Sequence, residues 1–156
     1  MAHATNSHEY FLTEALRLAK KAGACDEVPI GAVVVKDSTI ISEGFNRREQ
    51  AQSATGHAEI MAIEAACHTL HSWRLADCDL YVSLEPCLMC AGALVQARIR
   101  AVYFGAWDPK GGALGSLYKI HEDVRLNHRF LVQGGICAEE CGRLLSTFFQ
   151  AKRKRS

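Results

Sequence analysis

No apolar run in this chain approaches the roughly 20 residues that a membrane-spanning helix needs. Its first eight residues, Met-Ala-His-Ala-Thr-Asn-Ser-His, hold no basic stretch followed by an apolar block, so no secretory signal is read there. Internal repeats, Pro/Ser-rich linkers and low-complexity segments are also absent. Residues 1–156 are therefore expected to form a single cytoplasmic domain, long enough to bury a core without staples. The cysteine count is seven, an odd number that argues against a complete disulfide framework. In a reducing compartment such cysteines are core filler, metal ligands or catalytic thiols.

Apolar residues make up 49% and charged residues 22%, ordinary for a globular protein. The formal net charge of +1 is unevenly spread. Lys152, Arg153, Lys154 and Arg155 are consecutive, and without these four the 18 basic residues become 14 against 17 acidic ones. A basic tip on a near-neutral body suits phosphate contact. It equally suits a solvated helix end whose cations complement the helix dipole.

Asn6 and Glu9 have capping-box spacing, after which Phe11, Ala15, Leu18 and Ala22 fall on one helical face that stops at Gly23. Residues 30–36 and 39–45 read as a hairpin turning at Asp37-Ser38. Residues 46–56 are loop-like, and Ala58 to Leu70 form a helix apolar nearly all round, expected to be buried. A strand over residues 80–84, a helix from Leu88 to Ala97 and strands over 101–105 and 130–133 follow. A long loop, 107–128, separates the last two strands; loops of such length tend to be functional. A helix from Ala138 to about Lys152 ends the chain. Strands alternating with apolar helices predict an α/β three-layer sandwich, a central mixed sheet of about five strands with helices on both faces.

Two fragments carry chemistry: His57-Ala58-Glu59 and, 30 residues on, Pro86-Cys87-Leu88-Met89-Cys90. Each opens a predicted helix, where free N–H groups and the dipole favour thiolates at Cys87 and Cys90. Two thiolates and one imidazole suit zinc, and three protein ligands leave a tetrahedral ion one open position. Zinc lowers the pKa of bound water to about 7, so hydroxide is available at neutral pH. Glu59, beside the ligand but not needed as one, can move the protons. A lone Cys-x-x-Cys also fits a redox pair or half of a four-cysteine structural site. The first leaves His57 and Glu59 without a role, and the second lacks its other Cys-x-x-Cys.

The chain resembles the bacterial tRNA-specific adenosine deaminases of the cytidine/deoxycytidylate deaminase superfamily along nearly its whole length. The resemblance rests on Glu27-Val-Pro-Ile-Gly-Ala-Val-Val-Val, Gly56-His-Ala-Glu-Ile-Met-Ala-Ile and Ser83-Leu-Glu-Pro-Cys-Leu-Met-Cys-Ala-Gly-Ala-Leu. Gly111-Gly-Ala-Leu-Gly-Ser-Leu and Asn127-His-Arg point to the tRNA branch. It implies a cytidine deaminase-like fold, one zinc per chain at His57, Cys87 and Cys90, and a proton shuttle at Glu59. The implied reaction is hydrolytic conversion of adenosine to inosine at the wobble position of a tRNA anticodon stem-loop, with hydroxide supplied at the zinc. The alternative is a free-base deaminase acting on guanine or cytosine with the same zinc. The resemblance further implies a homodimer, base contacts from Asn46 and Ala58, pocket walls at Pro29, Leu84 and Ala106, and Asp108 near a ribose. Gly56, Trp107, Pro109 and the Ser53-Ala54 pair depart from the family pattern, all in the substrate loops.

Of the remaining residues, Cys25, Cys67 and Cys78 read as core or incidental. Cys137 and Cys141 share helical i, i+4 spacing and read as packing. His128, beside Arg129, either touches RNA or caps the strand that follows. Trp73 reads as an anchor packed on the core.

Overall fold

Residues 7–155 are described by the computed structural model. They form α1 (His8–Ala24), β1 (Gly31–Lys36), β2 (Thr39–Phe45), α2 (Ala58–Leu70), β3 (Cys78–Leu84), α3 (Leu88–Ala97), β4 (Ala101–Ala106), β5 (Leu131–Gln133) and α4 (Ala138–Arg155). The strands make one mixed sheet in the order β2-β1-β3-β4-β5. β1 runs antiparallel to β2 and β3, while β3, β4 and β5 are parallel. Period-two alternation sends Ala32, Val34, Leu80 and Val82 to the face that packs α2 and α3. Val33, Val35 and Tyr81 face the opposite way, toward Phe11, Leu12 and Leu16 of α1 and Cys141 of α4. The expected three-layer sandwich is therefore what forms.

Local chemistry explains the element boundaries. Ser7, not Asn6, caps α1, its hydroxyl accepting from the Tyr10 amide at 3.2 Å; Asn6 lies outside the described residues. α1 runs one residue beyond Gly23, to Ala24. Asp37 and Ser38 both have positive φ (50° and 61°) between the paired Lys36 and Thr39, the two-residue turn whose twist matches a hairpin. Gly44 lets α2 lie directly on β2, since a Cβ there would overlap the Ala58 carbonyl. α4 is longer than expected and carries all four basic tip residues.

Two expectations need correction. Trp73 is no core anchor: it is 58% exposed, with the guanidiniums of Arg74 and Arg98 over its ring at 4.7 and 5.9 Å. Leu75 takes the buried position instead, tied by its amide to the Ala97 carbonyl at 2.7 Å. Cys137 precedes α4 with φ 55°, so only Cys141 of that pair is on the helix. His128 Nε2 lies 2.7 Å from the Ile99 carbonyl oxygen and its ring stacks on Phe130.

Candidate active site

His57 and Cys87 occupy equivalent places, each the extended cap residue at the start of its helix, α2 and α3. Neither side chain caps its own helix. Both are thereby turned toward the seam between the helices, where Cys90, one turn into α3, is fully buried. His57 Nδ1 lies 3.6 Å from Cys87 Sγ and 3.5 Å from Cys90 Sγ. Ligand atoms held tetrahedrally by one zinc, at about 2.3 Å for sulfur and about 2.05 Å for nitrogen, lie about 3.5 Å apart. The cluster thus fits one Zn2+ in both donor chemistry and spacing, and it is the one such group of three among the described residues.

The two thiols are unequal. A hydrogen bond from Cys90, and then one with His57, pulls Cys87 down to about 4. The same bond with Cys87, reinforced by burial, pushes Cys90 far up. His57 is raised by its hydrogen bond with Cys87. Glu59 sits on the first turn of α2, only 4% exposed, and burial pushes its carboxyl up to about 7. A carboxyl poised there can both accept and release a proton at neutral pH.

Above this cluster lies a cavity of about 210 Å³ that His57, Ala58, Glu59 and Cys87 share with Asn46, Leu84 and Asp108. It adjoins a groove of about 800 Å³ through the common residues Val28, Leu84 and Asp108. Trp107, Phe149, Lys110 and Arg153 are among the residues that line the groove. Of the expected pocket walls, Leu84 faces both spaces, Ala106 faces the groove, and Pro29 lines neither, its neighbours Val28 and Ile30 doing so instead. The Asn46 amide donates to the Val28 carbonyl (3.2 Å) and accepts from the Arg48 amide (3.1 Å), leaving one hydrogen and one lone pair for a ligand. Asp108 Oδ1 accepts from the Lys110 and Gly111 amides of its own turn. Trp107 stands edge-on to Phe104 at 4.7 Å and covers Gly115 and Gly134. Arg129 donates to the Val124 and Leu126 carbonyls. Arg155 pairs with Asp26.

Glu27 and Glu85, fully buried beside the cavity, carry no local sequence signal of a role. In sequence each looks like a surface charge; Glu85 betrays itself only by lying between an apolar strand and Pro86.

The model for the cytidine and deoxycytidylate deaminase zinc-binding region matches residues 5–106. The tRNA-specific adenosine deaminase of Bacillus subtilis (strain 168) is 48% identical over 94% of this chain and 91% of its own length. That of Haemophilus influenzae is 46% identical over 94% and 85%. Among solved structures, a tRNA:A34 deaminase studied for A-to-I editing at the wobble position of transfer RNA superposes with TM-score 0.84. It is 45% identical and is matched over 87% of this chain and 99% of its own. A guanine deaminase from Bacillus subtilis gives 0.63 at 46% identity over 65% of each chain. The chain belongs to the zinc-binding cytidine and deoxycytidylate deaminase family and, within it, groups with the tRNA-specific adenosine deaminases.

Proposed function

We propose that this protein hydrolyses adenosine to inosine at the wobble position of tRNA, taking the anticodon stem-loop as substrate and working as a homodimer. The observation that carries the reading is the form of the site: a base-sized cavity lined by Glu59 that adjoins a much larger groove. A free base has no use for the groove, whereas a polynucleotide must lay its neighbouring residues somewhere. The relatives' named activity supports the same choice.

Bound by His57, Cys87 and Cys90, zinc supplies the Lewis acidity that makes water a nucleophile at neutral pH. Glu59 takes a proton from the attacking water as its oxygen bonds to C6 of the adenine. It gives that proton to the ring nitrogen N1, then takes the second proton from the hydroxyl now on C6 and passes it to the exocyclic amino group, which leaves as ammonia as the C6–N bond breaks and the C6=O bond forms. Ala58 has only a methyl group at the cavity, which leaves room for a purine, and the remaining donor and acceptor of Asn46 suit a base edge. Asp108, shared by cavity and groove, offers a carboxylate that suits a ribose hydroxyl. Along the groove, Trp107 and Phe149 offer ring faces for stacking, and Lys110 and the tip offer cations for phosphates. Since the anticodon loop is single-stranded, presenting the base costs less than in a duplex.

The test sets an anticodon stem-loop with a wobble adenosine against free adenine, guanine and cytosine, with ammonia release followed in each. Ammonia from the stem-loop alone is expected. Release from free guanine or cytosine in its place would make this a free-base deaminase.

A further inference from the structure

Glutamates are seldom fully buried without a charged partner. Glu27 and Glu85 are 1% and 2% exposed, and the partners that the structure gives them are mainly backbone amides. Glu85 Oε1 accepts from the Asp108 amide at 2.9 Å and from the Ser116 hydroxyl, while Oε2 accepts from the amides of Leu114 (3.1 Å) and Ser116 (2.9 Å). Glu27 accepts from the Glu49 amide on Oε1 (3.0 Å) and the Gln50 amide on Oε2 (2.6 Å). Both line the cavity. Glu27, between α1 and β1, reaches the loop 46–56; Glu85, just after β3, reaches the loop 107–118.

We propose that Glu27 and Glu85 are positioning residues that hold the two loops walling the cavity in their substrate-binding form before nucleic acid arrives. The proposal rests on the reading that this cavity takes a base from RNA. A long loop ordered only on binding would charge its lost freedom against affinity, and a buried carboxylate gathering several N–H groups removes that cost beforehand. The acceptor has to be a carboxylate. All four groups aimed at Glu85 are used as donors, and an amide in its place brings two hydrogens of its own. Glutamine at position 85 could keep its oxygen on Leu114 and Ser116 and turn its NH2 to the Ser116 hydroxyl, but the Asp108 amide would then lose its acceptor. Asp108 is the residue at which cavity and groove meet. Gly112 completes the fit, because a Cβ there would overlap the Glu85 carboxyl.

The test uses the zinc-loaded full chain and the Glu85→Gln variant, with hydrogen exchange at single amides and the kinetics on an anticodon stem-loop as readouts. Zinc content equal to the parent's, faster exchange at Asp108, and a KM raised about tenfold with a much smaller change in kcat are expected, as for the removal of one hydrogen bond to a charged acceptor. Gly112→Ala, which displaces the loop from the other side, should show the same pattern, and Glu27→Gln should speed exchange at Glu49 or Gln50. If Glu85 served stability alone, its replacement would reduce the folded fraction and hence apparent kcat, with KM unchanged. That result, or unchanged exchange at Asp108, overturns the proposal. The exchange readout needs no turnover, so a parent inactive on RNA would sink the functional reading while leaving the bracing of the loops separately measured.

Discussion

Arg155 and Asp26, 129 positions apart, meet at 3.0 Å between Nη2 and Oδ1. This exposed pair joins the end of α4 to the connection between α1 and β1, next to Glu27, which lines the cavity. Arg153, two residues before Arg155, is part of the groove's lining.

Removing residues 152–156 should therefore weaken RNA binding alike for all sequences. The log–log salt slope should fall by about 0.7–0.9 for every phosphate that the tip no longer neutralises. Binding measured from low to moderate salt checks this, and an unchanged slope would return the tip to a solvated helix end.

Cys87→Ala and Cys90→Ala each leave two of three ligands. Both variants should fall from about one zinc per chain to nearly none, with reduced stability at the starts of α2 and α3. Metal analysis after dialysis is the measurement; full occupancy in both would remove the assignment.

Glu59→Gln keeps the size of the side chain but cannot carry the proton. Zinc content and stem-loop affinity should match the parent, while kcat falls by at least about 100-fold. Turnover within tenfold of the parent would require another shuttle.

The thiols should separate by exposure. Cys25 is exposed, whereas Cys141 is buried against Gly105 and burial pushes its thiol up to about 12. Alkylation of the native protein at neutral pH should mark Cys25 and spare Cys141 until denaturant is added. Equal labelling of both would contradict the packing of α4 on β4.

Where a local signal and the final contact coincide, the sequence was readable. α2 and α3 fall on the residues their apolar patterns and starts indicated, and His57, Cys87 and Cys90 meet because each stands on the first turn or cap of those helices. Long-range choices were not readable. Nothing near Trp73 shows that Leu75 will fill the core in its place, and nothing near His128 shows that the Ile99 carbonyl will stand 2.7 Å away. Pro29 falls outside both spaces, although Val28 and Ile30 on either side of it line the cavity. Glu27 and Glu85 were the hardest, because the amides that justify burying them come from loops 22 to 31 residues further along the chain.

Wobble deamination is tested outright by identifying the product base in an anticodon stem-loop whose wobble position is adenosine. The stem-loop is incubated with the zinc-loaded protein and then digested to nucleosides for mass spectrometry. Inosine is expected at the wobble position, with adenosines in the paired stem unchanged and no inosine when Glu59→Ala replaces the parent. Adenosine left intact at the wobble position by zinc-replete parent protein would contradict wobble deamination.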